Sequence, residues 1–275
     1  MNRKLNKLYF STSKVMGILN LTSNSFYDGG KYNDTEKILS QTKKMIDEGA
    51  NIIDIGAQSS RPGSDEISEK EELSKIILAL TEIRKCFPHV LISIDTYRAK
   101  VAEESINNGA DIINDISSGD LDNKMFSIIA KYKVPYIIMH MLGTPKNMQE
   151  NPTYKNVVED IINYFQAKIK ILNGLGIDNL IIDPGFGFGK TLEHNYEILN
   201  NLEKFECLKY PILAGVSRKR MISKLLDIDA NQSLNGTSVI NTLALTKGAD
   251  ILRVHDVKEA VECIKIVNFA KTLYK

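Results

Sequence analysis

The chain has 275 residues, with 35 Lys and Arg against 34 Asp and Glu, a formal net charge of +1. That length suits one large domain with a well-buried core, and the balanced charge excludes a global field for nucleic acid or an anionic membrane, so any anion site must be local. Cys86, Cys207 and Cys263 lie far apart with no C-x-x-C spacing, which speaks against a zinc site or a disulfide framework and reads as buried, reduced thiols of a cytoplasmic protein. No apolar stretch follows the basic N-terminus, and no segment nears the ~18 apolar residues of a membrane span. One domain over 1–275 is expected, with 1–13 as an N-terminal extension.

In chain order, eight short apolar runs each stop at or near a polar residue. Residues 14–19 stop at Asn20. Residues 52–55 carry Asp54 and lead to Arg61. Residues 90–94 stop at Asp95, 112–113 at Asn114, 136–139 at His140 and 180–182 at Asp183. Residues 212–216 lead to Ser217, Arg218 and Lys219, and 251–254 carry Arg253 and end at His255. Helical stretches separate the runs. Ile38, Met45 and Ile46 belong to a helix closing at Gly49. Leu73, Ile76, Ile77, Leu80 and Ile83 form a helical stripe, and so do residues 157–172, ending before Gly174 and Gly176. The phrase Gly-Ala-Asn/Asp-Ile recurs at 49–52, 109–112 and 248–251 as helix stop, tight turn and buried strand. Its unequal intervals exclude a solenoid.

This alternation predicts the α/β class and, with eight units, a single-domain (β/α)8 barrel. Its strand C-termini open onto one face, where the eight polar ends form an active-site rim. An open doubly wound sheet is the alternative, but it lacks a Gly-x-Gly-x-x-Gly after the first strand. Stretches 21–34, 57–68 and 141–154 exceed tight turns and read as lids.

Several rim segments carry chemistry. Residues 183–190, Asp-Pro-Gly-Phe-Gly-Phe-Gly-Lys, read as an exposed loop whose glycines let backbone approach a ligand and whose two phenylalanines need a partner. Asp183 can accept paired hydrogen bonds from a guanidine-like edge; its bland alternative is a cap near Thr191. Lys219, more than Arg220, suits a phosphate or diphosphate. Arg253 and His255 share a strand face and make an anion site, while Asp256 is expected to cap the final helix. Asp95 and Asn114 either cap helices or point inward to read a polar heterocycle; inward, Asp95 would also steady a developing cation. Asn20 could supply one oxygen to Mg²⁺, phosphate and water supplying the rest.

These segments together resemble the dihydropteroate synthases, pterin-binding barrel enzymes. The marks, spanning Met16 to about Glu259, are Met-Gly-Ile-Leu-Asn-Leu-Thr at 16–22, Ser25-Phe26, Asp28-Gly29-Gly30 and Gln-Ser-Ser-Arg-Pro-Gly at 58–63. Ser93-Ile94-Asp95-Thr96, Ile113-Asn114-Asp115, Met139-His140-Met141, the 183–190 segment, Ser217-Arg218-Lys219 and Arg253-Val254-His255-Asp256 complete the set.

The resemblance implies a transferase that joins a dihydropterin bearing a CH₂-diphosphate to p-aminobenzoate, giving dihydropteroate and diphosphate, with the C–O bond breaking first. It implies that Asp95, Asn114, Asp183, Lys219 and Arg253 hold the pterin, with Asp95, Lys219, Arg253 and His255 catalytic. Asn20, Arg61, Arg253 and His255 would hold diphosphate, Asn20 with Mg²⁺ as cofactor. Ser60, Arg61, Pro62, Phe188 and Lys219 would wall the aminobenzoate pocket. It further implies sulfonamides as competitive inhibitors and a homodimer through late helices such as 235–247 and 257–271.

The chain departs from the family pattern in two loops. Thr-Pro-Asp-Ser-Phe is here Thr22-Ser23-Asn24-Ser25-Phe26, and Glu-Ser-Thr-Arg-Pro is Gln58-Ser59-Ser60-Arg61-Pro62. Losing Pro frees backbone, and losing two carboxylates removes charge-assisted ordering, so a weaker or altered aminobenzoate pocket is expected. Rival readings are a pterin-dependent corrinoid methyltransferase, which needs no diphosphate site, a non-catalytic pterin-binding protein, and a barrel of unrelated chemistry.

Overall fold

A computed structural model describes residues 12–21, 30–58, 66–144, 146–148 and 150–273, with 30–34 as backbone. The strands are β1 Lys14–Asn20, β2 Ile52–Gly56, β3 Leu91–Asp95, β4 Ile112–Asp115, β5 Tyr136–Met139, β6 Leu180–Asp183, β7 Leu213–Ala214 and β8 Ile251–Val254. The helices are α1 Gly30–Asp47, α2 Glu69–Cys86, α3 Ala99–Asn107, α4 Met125–Tyr132, α5 Val157–Gly174, α6 Leu192–Asn200, α7 Arg220–Leu226, α8 Leu234–Thr246 and α9 Val257–Thr272. The strands form one eight-stranded parallel sheet in the order β6-β5-β4-β3-β2-β1-β8-β7. A parallel bridge between Ile182 and Ile212 joins its two edges, with the Ile182 N–H donating to the Pro211 carbonyl at 2.8 Å. The expected (β/α)8 barrel is the fold.

Strand periodicity of two sorts the side chains. Val15, Ile53, Ile92, Ile113, Ile138, Ile182 and Leu252 face outward into the main core under the helices. Met16, Ile52, Ile112, Ile137, Ile181, Leu213 and Ile251 face inward as a separate closed cluster, with Leu91 packed against it. Every strand thus contributes one residue to an apolar floor that plugs the barrel. Burying each such side chain contributes about 1.5–3 kcal/mol. One step of two residues further along come Asp54, Ser93, Asn114, Asp183 and Arg253, and a second step reaches Asn20, Asp95 and His255.

The recurring phrase does more than turn the chain. Gly49, Gly109 and Gly248 adopt φ of 102°, 100° and 96°, a conformation costly for other residues. The following Asn51, Asp111 and Asp250 each accept a backbone N–H within one residue of the start of a neighbouring strand, from Val15, Ile92 and Ile212, at 2.9 Å. The repeated polar residue therefore sets register between adjacent units.

Some expectations need correction. Helix α1 begins at Gly30, inside the stretch 21–34 read as loop. Two of the three cysteines, Cys86 and Cys207, are exposed; only Cys263 is buried, and all three are free. Among the described residues, no helix is long and apolar enough to cross a membrane.

Candidate active site

The polar layer is organised around Arg253. Its Nε donates to Asp54 Oδ2 at 2.6 Å and its Nη2 to Asp95 Oδ2 at 2.6 Å. Burial works against the guanidinium charge, but Asp54 and Asp95 hold it more firmly protonated than an ordinary arginine. Burial, with Asp54 close by, pushes the Asp95 carboxyl up, while Arg253 pulls it down. Asn114 Nδ2 donates to the same Asp54 Oδ2 at 3.2 Å. Asp54 is fully buried, and its Oδ1 has no hydrogen-bond partner among the described residues. Asp95 and Asn114 therefore point inward, the functional alternative, and neither caps a helix.

Asp183 and Lys219 flank one spot above the floor. A Cβ built on Gly215 would lie 3.8 Å from both Asp183 Oδ2 and Lys219 Nζ, so glycine there leaves room between a carboxylate and an ammonium. Asp183 Oδ1 accepts the Gly185 N–H at 2.7 Å, while Thr191 caps α6 with its own hydroxyl. Burial raises the Asp183 carboxyl, and Lys219 opposes this. Burial lowers Lys219 to about 8, against the pull of Asp183. Lys219 Nζ donates to the Phe186 carbonyl at 2.5 Å and sits 4.7 Å from the Phe188 ring centroid, a cation–π distance.

The 183–190 segment is not the exposed loop expected. Phe186 is fully buried in the main core, and Phe188 packs with Ile116, Met139 and Met148. Gly185 and Gly189 serve chain packing. A Cβ on Gly185 would meet the His140 carbonyl oxygen at 1.9 Å, and one on Gly189 the Leu142 oxygen at 2.5 Å. Lys190, also buried, donates to His140 Nδ1 at 3.0 Å, the His140 carbonyl at 3.2 Å and the Phe188 carbonyl at 3.0 Å. Burial, then Lys190, lowers His140 to about 3, which keeps it neutral and accepting.

At the eighth strand, Ser217 Oγ and His255 Nδ1 are 3.1 Å apart. Arg218 forms a two-pronged ion pair with Asp256. Asp256 makes no side-chain cap on α9, which corrects its expected role and takes Arg218 out of the cation cluster. Arg220 is exposed at the start of α7. Asn20 is exposed at the end of β1. Ser60, Arg61 and Pro62 lie outside the described residues, as do Ser23 and Asn24. The ends of their second loop are nevertheless pinned. Gln58 Oε1 accepts the Ile67 N–H at 2.9 Å, and Arg98 donates to the Ile67 carbonyl at 2.7 Å and to buried Glu72 at 2.5 Å. The Gln58 amide thus ties the two ends of the loop together beside the Arg98–Glu72 ion pair.

A donor-reading carboxylate and amide, a cation pair and an apolar floor suit a flat, donor-rich heterocycle carrying an anionic tail. The model for the pterin binding enzymes matches residues 16–255. The chain belongs to this family. Its curated relatives include the dihydropteroate synthase of Haemophilus influenzae, 44% identical over 261 residues that cover 94% of each chain. Among solved structures, Yersinia pestis dihydropteroate synthase in a sulfonamide drug complex superposes with a TM-score of 0.90 at 41% identity, over 97% of this chain and 96% of that one. The Xanthomonas albilineans enzyme with 4-aminobenzoic acid gives 0.88 at 33% identity, over 95% and 94%. These relatives are dihydropteroate synthases, transferases of folate biosynthesis, and the methyltransferase alternative is not favoured.

Sequence reasoning about the family missed Asp54 as a site residue. The signal was present: a charged residue at an inward position inside the strand Ile52–Gly56. A buried acid is seldom left without a partner.

Proposed function

We propose that this chain, as one domain, makes dihydropteroate through the strand-end residues named above. The carrying observation is the convergence of Asp95, Asn114, Asp183, Lys219 and Arg253 on one polar layer above the sealed floor. Asn114 and Asp183 offer acceptors to the N–H groups of a pterin, and Lys219 offers a donor beside them. Arg253, with His255, faces the diphosphate. Diphosphate departs with the C–O electron pair, leaving a methylene cation conjugated with the pterin and steadied by the Asp95 carboxylate. The lone pair of the p-aminobenzoate nitrogen then forms the C–N bond, and its surplus proton passes to solvent. No general base is needed, because the aromatic amine is already neutral.

Among the described residues, no group of three His, Cys, Asp or Glu could hold a metal. One exposed amide at Asn20 fits a Mg²⁺ that keeps most of its oxygens from diphosphate and water. Bound there, Mg²⁺ would supply charge neutralisation of the leaving group. Phe188 and Lys219 stand on the aminobenzoate side, to which the family pattern also assigns Ser60, Arg61 and Pro62, and sulfonamides would compete there. Unpaired cysteines support a cytoplasmic setting. Val239, Leu243, Ile266 and Phe269 are exposed apolar residues on α8 and α9, which supports a homodimer through that face.

The test is incubation with Mg²⁺ and dihydropterin-CH₂-diphosphate, with and without p-aminobenzoate, following diphosphate and dihydropteroate together. Coupled formation of both is expected. Diphosphate release without coupling would place a defect on the aminobenzoate side. Binding without release would overturn the synthase reading in favour of a binding protein.

A further inference from the structure

Asp54 touches two of the proposed substrate-binding residues and, through one of them, a third, without a proposed substrate contact of its own. Its Oδ2 takes Arg253 Nε at 2.6 Å and Asn114 Nδ2 at 3.2 Å, and Arg253 in turn reaches Asp95. Paired with the guanidinium, the Asp54 carboxylate can only accept hydrogen bonds. The Asn114 atom that faces it must therefore be the amide nitrogen. That leaves the Asn114 oxygen directed away from Asp54 as an acceptor.

We propose that Asp54 is a specificity-determining positioning residue: by claiming the Asn114 amide nitrogen, it fixes the Asn114 oxygen as an acceptor and so selects heterocycles that present an N–H donor there. This rests on the proposed pterin site and adds a cause for its selectivity. An amide free to rotate serves a donor and an acceptor about equally well. An amide locked by a buried carboxylate does not, since mismatching it leaves a buried polar group unpaired. A 2-aminopyrimidinone ring satisfies the locked arrangement. Its 2-oxo counterpart, which replaces the amino donor by a carbonyl, does not.

The test compares binding of 6-hydroxymethylpterin and its 2-oxo counterpart, 6-hydroxymethyllumazine, to the whole protein by calorimetry. The unaltered protein should prefer the pterin. Asp54→Asn keeps one acceptor oxygen where Arg253 Nε and Asn114 Nδ2 meet, so it should keep the preference while losing the charge. Asp54→Leu removes the acceptor, and the preference should fall by about tenfold or more. Should Asp54→Leu fail to fold, Asp54→Ser replaces it, because a hydroxyl both donates and accepts and cannot impose the orientation. In an Asn114→Ala background, Asp54→Leu or Asp54→Ser should leave the preference unchanged, the non-additivity expected when one residue acts through another. An equal loss of affinity for both ligands, or an equal fall in preference with Asn114 already removed, would overturn the proposal. Failure of the unaltered protein to bind either ligand would instead overturn the proposed pterin site.

Discussion

Two layers of the barrel interior, one step of two residues apart on the same strands, have opposite natures. The lower one, from Met16 round to Ile251, is apolar throughout and buried but for the half-buried Leu91. The upper one holds Asp54, Asn114, Asp183 and Arg253, all buried or nearly so, and joins them by charge and hydrogen bonds. The lower layer stabilises the fold by burying apolar surface. The upper layer holds the residues proposed to carry the chemistry, and its charges are tolerable only in mutual contact, because one unpaired charge at that depth costs several kcal/mol. Ser93 marks the strain of mixing the two: it sits in the polar layer with its hydroxyl buried and unpartnered among the described residues.

The largest effect should come from Arg253→Met, which strands Asp54 and Asp95 together. Unfolding free energy should drop by about 3–5 kcal/mol, and kcat/KM should fall by about a thousandfold or more, measured by denaturant titration and steady-state kinetics. If stability were untouched, the claim that the polar layer is held together by paired charge would fail. Asp183→Asn should lower kcat/KM for the pterin substrate by about ten- to a hundredfold, the worth of a charge-assisted hydrogen bond, with the melting temperature little changed.

The converse comes from the floor. Ile137→Ala should cost about 2–5 kcal/mol of stability yet leave kcat within about twofold wherever the protein stays folded. A large kcat loss there would break the division between the layers.

Lys219 gives a pH signature. With its ammonium lowered to about 8, affinity for the pterin diphosphate should fall as pH rises through that value. Lys219→Arg should abolish the fall, since guanidinium stays charged. The sign for stability is opposite. The unfolded chain, titrating near about 10.4, holds more protons than the folded one above pH 8. This group therefore opposes folding below pH 8, and its penalty is relieved as pH rises from about 8 to 10. A smaller effect is expected at the first loop. Ser23→Pro with Asn24→Asp should lower the KM for p-aminobenzoate by about two- to fivefold, the range of a pre-ordered loop; no change or a rise would refute the idea that those substitutions loosen the pocket.

Much of this was legible before any coordinates, because strand and helix periodicity are local. The apolar runs, the turn phrase and the polar strand ends all follow from residues within a few positions of each other. The inward direction of Asp95 and Asn114 was one of two alternatives open in the sequence, and the structure decides it, placing them an even number of residues past the inward-facing Leu91 and Ile112. The 183–190 segment misled because glycines between phenylalanines read as a free loop. Two of its three glycines, Gly185 and Gly189, are required by the His140 and Leu142 backbone, which lies more than 40 residues earlier in the chain. Asp256 misled for a similar reason, since a helix-start aspartate has a local role in view and Arg218 is not in view.

The amino-acid sequence by itself determined the alternation of strands and helices and the set of polar residues delivered to the strand ends. Only the tertiary structure decided how those residues are partnered. Arg253 meets Asp54 across 199 positions and Asp95 across 158, contacts that exist because the sheet closes and brings its first, second, third and eighth strands round a common axis. Period and propensity act between neighbours in the chain, whereas the pairing of buried charges is settled by which neighbours closure provides.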